Sequence, residues 1–260
     1  MRKSIIFTLT LLIIMALFSC AFAKTADEYF DEGMYYCYYK GDFNNAVLSF
    51  TKAIEINKDY AYAYYNRGNA YTELKQFEKA IQDYSNGIKL SPEAGAYYNR
   101  GLAYYELNKF DKAIEDYSYA IELNPYFTLV YNNRGNAYCQ LNKFDKAIED
   151  FSTAIELNPN NADAYNNRGN AYTNQNQLDK AFSDYSIAIK LNPNDANAYY
   201  NRGNVYFDLK QFDQAIEDYS TAIKLDPNYA RAYNNRGNAY KKLGNNEAAQ
   251  KDRAMYDKLK

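Results

Sequence analysis

Asparagine recurs in this chain at a spacing that would set side-chain carboxamides in a row. Asn66, Asn99, Asn133, Asn167, Asn201 and Asn235 each open an Asn-Arg-Gly triplet. Three residues further on stand Asn69, Asn136, Asn170, Asn204 and Asn238, with Leu102 as the exception. A carboxamide offers a donor and an acceptor, which match the N–H and C=O of an extended peptide backbone. A grip of that kind would be indifferent to the ligand's sequence. The row requires helices, because residues three and four apart share one helix face. On that spacing Asp163, Asn167, Asn170 and Asn174 form one stripe. Tyr62, Asn66, Asn69 and Glu73 form another, as do Leu129, Asn133, Asn136 and Gln140, then Asn197, Asn201, Asn204 and Asp208.

The arginine of each triplet has a carboxylate at a fixed offset. Arg67, Arg100, Arg134, Arg168, Arg202 and Arg236 are matched by Asp83, Asp116, Asp150, Asp184, Asp218 and Asp252. The one unit with Glu32 in place of the arginine has Ser49 in place of the aspartate. This covariation within one chain predicts a structural ion pair, partly buried, that sets the register of two helices within or between units.

Other chemistry is missing from the sequence. There is no histidine among the 260 residues, which removes the commonest general base and metal ligand. No Gly-rich phosphate loop, nucleophile elbow or metal-ligand cluster occurs. Glu115-Asp116 and Glu149-Asp150 are consecutive, so on a helix they point in different directions. Catalysis, metals and cofactors are therefore not expected. The formal net charge is -2, which gives no cationic excess for binding phosphates and argues against nucleic acid.

The elements that carry these residues follow from the period. The triplets lie 33 and then 34 residues apart, and alignment on their glycine divides the chain into seven units. These are 26–60, 61–93, 94–127, 128–161, 162–195, 196–229 and 230–260. Each holds two helix patterns. In 162–195, Tyr165, Gly169 and Tyr172 mark one apolar stripe, and Ala181, Tyr185 and Ala188 mark a second. Asn176-Gln177 interrupts the two, and Asn tolerates a left-handed cap. Asn192-Pro193 stops the second. Short links make neighbouring helices antiparallel. The first unit carries one extra residue near Lys40-Gly41. The last replaces its apolar pattern with Ala-Ala-Gln-Lys-Asp-Arg-Ala at 248–254, a polar face suited to ending a stack.

The pattern Tyr199, Gly203, Tyr206, Ala215, Tyr219, Ala222, Pro227 resembles the tetratricopeptide repeat signature, with Tyr for its usual Trp and Arg202 for its usual Leu. The resemblance covers essentially 26–260. It implies an all-α, right-handed superhelical solenoid of antiparallel helix hairpins. Gly68, Gly101, Gly135, Gly169, Gly203 and Gly237 are expected to let paired helices approach, facing Ala80, Ala113, Ala147, Ala181 and Ala215. The family's first helices line a concave groove where ligands usually sit, so the carboxamide row becomes a candidate peptide-binding surface. Some solenoids of this superfamily grip peptide main chain with such an asparagine ladder. The same asparagines are also ordinary family consensus on a solvated face, and both readings stand. Flanking residues would supply preference: Tyr62, Tyr65, Tyr98, Tyr105, Glu73 and Glu106 toward apolar or basic ligands, and Arg231, Lys241 and Lys242 toward acidic ones. The family's carboxylate clamp needs Lys and Arg where this chain has mostly Asn, Tyr and Asp.

Residues 1–23 read as a signal peptide. Arg2 and Lys3 precede an apolar run from Ile5 to Phe18, and Ala21-Phe22-Ala23 suits cleavage before Lys24. The run is short for a membrane span. The expected location is therefore exported: periplasm, outer envelope or secreted. Leu17-Phe18-Ser19-Cys20 also resembles a bacterial lipobox, in which Cys20 would be lipidated and anchor the chain to a membrane. Cys37 and Cys139 lie three units apart, too far for a disulfide within one chain. The resemblance, taken with the leader, implies an exported scaffold that binds extended segments of other proteins. A lipid-anchored envelope assembly factor is the alternative. So is a module that binds glycan or cell wall through some of its 31 tyrosines.

Overall fold

A computed structural model of the protein describes residues 24–260. The expected signal peptide and Cys20 lie outside the described residues. The described residues form fourteen α-helices, one π-helical turn and no strand. In chain order they are α1 (Ala26–Tyr35), α2 (Phe43–Ile56), α3 (Ala61–Glu73), α4 (Phe77–Leu90) and α5 (Ala94–Glu106). Then follow α6 (Phe110–Leu123), α7 (Thr128–Gln140), α8 (Phe144–Leu157), α9 (Ala162–Asn174) and α10 (Leu178–Leu191). The last four are α11 (Ala196–Asp208), α12 (Phe212–Leu225), α13 (Ala230–Lys242) and α14 (Asn246–Leu259).

Local chemistry fixes these boundaries. Thr25 and Glu28 make a reciprocal capping box at the start of α1, satisfying amides that no helix turn can reach. Asp42, Asn161 and Asn245 accept from the third backbone N–H of α2, α9 and α14. The turn from first to second helix needs one left-handed residue. Lys75, Asn108, Asn142, Asn176 and Lys210 supply it, with φ between 55° and 60°. The extra residue of the first unit is absorbed as the π turn Tyr36–Lys40, which ends at Gly41 with φ 61°. A π turn adds one residue per turn without breaking the helix axis.

The chain divides into two compact units, one ending at Lys109 and the other spanning Phe110–Lys260. In the first, α1 packs on α2, α3 on α4, and α5 lies against α4. In the second, α7/α8, α9/α10, α11/α12 and α13/α14 are hairpins, and each stacks on the next. Successive first helices, such as α9, α11 and α13, also approach one another directly. Within that unit the first helices thus meet across successive hairpins.

The core repeats with the sequence. Tyr84, Tyr185, Tyr219, Phe50 and Phe151 are fully buried beneath the first-helix glycines. A Cβ on Gly169 would lie 2.6 Å from Tyr185 Cε1. The ring is thus the nearest neighbour of the glycine, and where it is missing, at Gly237, the paired Ala249 is among the nearest residues. Ala181 packs with Tyr185 and with Val205 of the following repeat, and the ring takes the space that a missing side chain leaves. Methyl-sized Ala147 and Ala154 likewise sit where α8 meets the next first helix. At the far end Met255, Tyr256 and Leu259 of α14 pack on the cluster around Ala222, Ala232 and Tyr233. No helix among the described residues is long and apolar enough to cross a membrane.

Candidate functional site

Five arginine–aspartate pairs are formed within single repeats. Nε and Nη2 of Arg67, Arg134, Arg168, Arg202 and Arg236 donate to Oδ2 and Oδ1 of Asp83, Asp150, Asp184, Asp218 and Asp252 at 2.7–2.9 Å. This is the two-pronged geometry that suits guanidinium to carboxylate. The aspartate side chains are only 5–6% exposed. The hydrogen bond to Asp184 raises the pKa of Arg168 against the opposing effect of burial. Asp218 does the same for Arg202, and Asp252 for Arg236. Arg100 and Asp116 fall in different units; Asp116 is buried.

A third partner was not foreseen from the sequence. Nη1 of Arg67, Arg100, Arg134, Arg168 and Arg236 donates to Thr51, Ser85, Ser118, Ser152 and Ser220 at 2.9–3.0 Å. Arg202 reaches Ser186 at 3.4 Å. Each acceptor belongs to the preceding repeat. One guanidinium thus closes its own hairpin and stitches it to its neighbour. Tyrosines flank the cation: Tyr165 and Tyr172 lie 5.7 and 5.9 Å from Arg168, within cation–π range. The signal that could have revealed the stitch is the Ser or Thr two residues after each Asp position but the last, at 51, 85, 118, 152, 186 and 220. In the first repeat, Ser49 donates to Glu32 at 3.2 Å and Lys24 donates to Glu32 at 2.9 Å, so the exchanged pair still bonds.

The asparagine stripe is on the first helices and is partly spent inside the protein. Asn69 Oδ1 accepts the Tyr84 hydroxyl at 2.8 Å and Asn99 Nδ2 at 3.0 Å. Asn170 accepts the Tyr185 hydroxyl at 2.8 Å. Asn204 accepts the Tyr219 hydroxyl at 2.8 Å and Asn235 Nδ2 at 2.9 Å. Asn167 and Asn201 donate to Asn132 and Asn166 of the preceding repeat at 3.3 and 3.1 Å. Asn66 donates to the Tyr62 carbonyl at 2.8 Å. Asn133 lies half-buried on α7. Asn136 and Asn238 make no side-chain hydrogen bond among the described residues, and their repeats have Phe151 and Arg253 where the others have tyrosine. The row therefore presents mainly the Nδ2 of Asn69, Asn170 and Asn204, with complete carboxamides at Asn136 and Asn238.

Two concavities follow this stripe. In the first unit a cleft of about 410 Å³ is lined by Asn66, Asn69, Asn99, Glu73, Cys37 and Leu102 among others. In the second, a cleft of about 360 Å³ is lined by Asn204, Asn235, Asn238, Phe207 and Asp208. An adjoining hollow of about 490 Å³ includes Lys241 and Lys242. Tyr62 is 53% exposed and remains a surface residue, but Tyr65 is 7% exposed and is not. Its ring fills the space beside Gly87, and its hydroxyl donates to the Ser91 carbonyl. Where five other repeats have alanine in the second helix, Gly87 admits a whole ring. Burial pushes the Cys139 thiol up to about 11 and raises that of Cys37, so neither is poised as a thiolate nucleophile. No group of three or more metal-ligating side chains is assembled among the described residues.

Comparison with known proteins agrees with this architecture. The family described as "TPR repeat" matches residues 26–74, 135–176, 169–210 and 203–244, and "Tetratricopeptide repeat" matches 61–93 and 94–127. Heat shock protein STI1 of Saccharomyces cerevisiae is 38% identical over 69 residues, 26% of this chain and 12% of the yeast protein. The chain therefore matches only a small part of such curated relatives. Among solved structures, YrrB, described as a TPR protein with an unusual peptide-binding site, is 28% identical with a TM-score of 0.60. That match covers 70% of this chain and 95% of YrrB. A tetratricopeptide repeat protein from Parabacteroides merdae shares the fold at a TM-score of 0.72 and 21% identity, covering 90% of this chain and 93% of its own. The chain belongs to the tetratricopeptide repeat family.

Proposed function

We propose that this tetratricopeptide repeat protein is a non-catalytic scaffold that binds extended segments of partner proteins along its asparagine stripe. The observation that carries the reading is that the clefts of both units lie on that stripe. There tyrosine and asparagine bonds hold the carboxamides of Asn69, Asn99, Asn204 and Asn235 in place. Fixing a side chain before binding removes an entropy cost of about 0.5–1.5 kcal/mol per group. YrrB, similar over most of its length, is described by its peptide-binding site, which supports the same use here. The donors at Asn69, Asn170 and Asn204 suit the carbonyls of a peptide, and the whole carboxamides of Asn136 and Asn238 suit both of its backbone groups.

The test is affinity capture from the native host, followed by titration of the captured partner. Wild type is compared with a variant carrying Asn136→Ala, Asn170→Ala and Asn204→Ala, with circular dichroism confirming the fold. Loss of binding in the folded variant is expected; unchanged affinity removes the stripe from the account. The leader 1–23 supports export before binding, and mass spectrometry of the mature N-terminus separates cleavage before Lys24 from lipidation of Cys20.

A further inference from the structure

The last hairpin lacks a part that five others have. A Cβ on Gly33, Gly68, Gly135, Gly169 or Gly203 would meet the ring of Phe50, Tyr84, Phe151, Tyr185 or Tyr219 at 2.5–2.9 Å. At Gly237 the nearest atoms are Asp252 Cβ at 3.2 Å and the Ala249 carbonyl oxygen at 3.4 Å. The Asp218 Cβ stands 3.3 Å from the same point on Gly203. The two hairpins therefore have the same spacing, and only the ring is missing. Arg253 holds its place in the sequence but turns outward. Its Nε donates to Asp257 at 3.2 Å, and its guanidinium lies 5.2 Å from the Tyr256 ring. What remains is a cavity of about 360 Å³ lined by Gly237, Asn238, Lys241, Ala249, Gln250 and Arg253 among others.

We propose that this slot binds the side chain of a tyrosine in an acidic segment of a partner protein. Its shape is the one that an aromatic ring fills in five other hairpins of the same chain. Its polar end is Asn238, the counterpart of Asn69, Asn170 and Asn204, each of which accepts a tyrosine hydroxyl at 2.8 Å. A phenol entering beside Gly237 finds the same acceptor. The flanks select the segment: no acidic residue lines the cavity, and Lys241 and Lys242 form no ion pair among the described residues. A buried ring supplies the area and the lysines favour carboxylates on either side of it. The slot rests on the glycine comparison and shares only Asn238 with the proposed stripe, so the two readings can fail separately.

The test uses the full chain with its leader removed, and a Glu-Tyr-Glu peptide with blocked ends as the probe. Amide shifts in a heteronuclear NMR titration are expected at Gly237, Asn238 and Ala249. A Glu-Ala-Glu peptide should leave them unmoved. Arg253→Tyr supplies the missing ring from within. It is expected to raise the melting temperature and to weaken the probe by about tenfold or more, whereas Glu156→Gln, at an exposed second-helix position outside both the slot and the stripe, leaves probe affinity unchanged. Equal shifts with the alanine peptide, undiminished binding to Arg253→Tyr, or no shift at Gly237 would each overturn the proposal. So would concentration-dependent dimerisation that Arg253→Tyr abolishes, because a second copy would then be the occupant.

Discussion

Removing either member of the Arg168–Asp184 pair should cost more than removing both. Asp184 is 3% exposed, and it accepts Nε and Nη2 of Arg168 at 2.8 and 2.9 Å. Arg168→Leu leaves that carboxylate buried without its counter-charge, and Asp184→Ala leaves two guanidinium donors without acceptors. Breaking one side of a buried pair costs about 3–5 kcal/mol. The double variant has no orphaned charge. Leucine is moreover the residue the family usually carries there, so its expected cost is about 2–3 kcal/mol, most of it lost packing. The coupling energy from the four proteins should therefore exceed about 2 kcal/mol. The bond from Arg168 to Ser152 is lost equally with and without Asp184 and cancels from the cycle. Chemical denaturation followed by circular dichroism, with one slope fitted to all four proteins, measures it. A coupling below about 0.5 kcal/mol would be no more than an exposed ion pair gives, and would refute a register-setting role for the arginine row.

Three further outcomes follow from the same geometry. Ser152→Ala removes the acceptor of Arg168 Nη1 at 2.9 Å and should cost about 1–2 kcal/mol in the same denaturation assay, with the Arg168–Asp184 bonds intact in a crystal structure. Gly169→Ala sets a methyl 2.6 Å from a Tyr185 ring carbon and should cost about 1–3 kcal/mol. Combining it with Tyr185→Leu, which clears the space, should cost less than the two changes added. Burial raises the Tyr84 and Tyr185 hydroxyls from 10.0 to about 12. Their contribution to stability is then full below pH 10 and is lost as the pH climbs to about 12, up to about 2–3 kcal/mol each. Tyrosinate absorbance should rise in step with unfolding across that window; ionisation of all tyrosines near pH 10 in a folded protein would contradict it.

The repeat period and the hairpins were legible because seven copies repeat one offset, and the Arg–Asp pairing because six of them do. Helix starts at Ala162 and Ala196 and the left-handed Asn176 follow from local chemistry alone. What was not legible depends on reach between neighbouring repeats. Ser152 looks like an ordinary helix-surface serine until the preceding hairpin is stacked under Arg168. Asn170 and Asn204 were assigned to a face by helix geometry, which does not show that a tyrosine hydroxyl from the second helix arrives there. Tyr65 reads as a surface residue because its burial depends on Gly87, which stands where five of the other repeats have alanine. The empty slot at Gly237 was equally hidden. Arg253 reads as a polar substitution in the sequence, and the space it leaves appears only beside the five filled hairpins.

The arginine stitch also bears on how such a chain can change length. Every repeat from 128 to 229 carries the same three parts: an arginine that reaches back, an aspartate that holds it, and a serine offered to the arginine that follows. Excising 162–195 in a single in-frame recombination would bring Arg202 to Ser152, and duplicating it would add one more identical joint. Neither event leaves an arginine without its serine, since each of the three repeats carries the same set of parts. The shared run at 108–116 and 142–150 is the trace such an exchange would leave. Copy number in this stretch is thus free to drift, and each change lengthens or shortens the stripe by one rung.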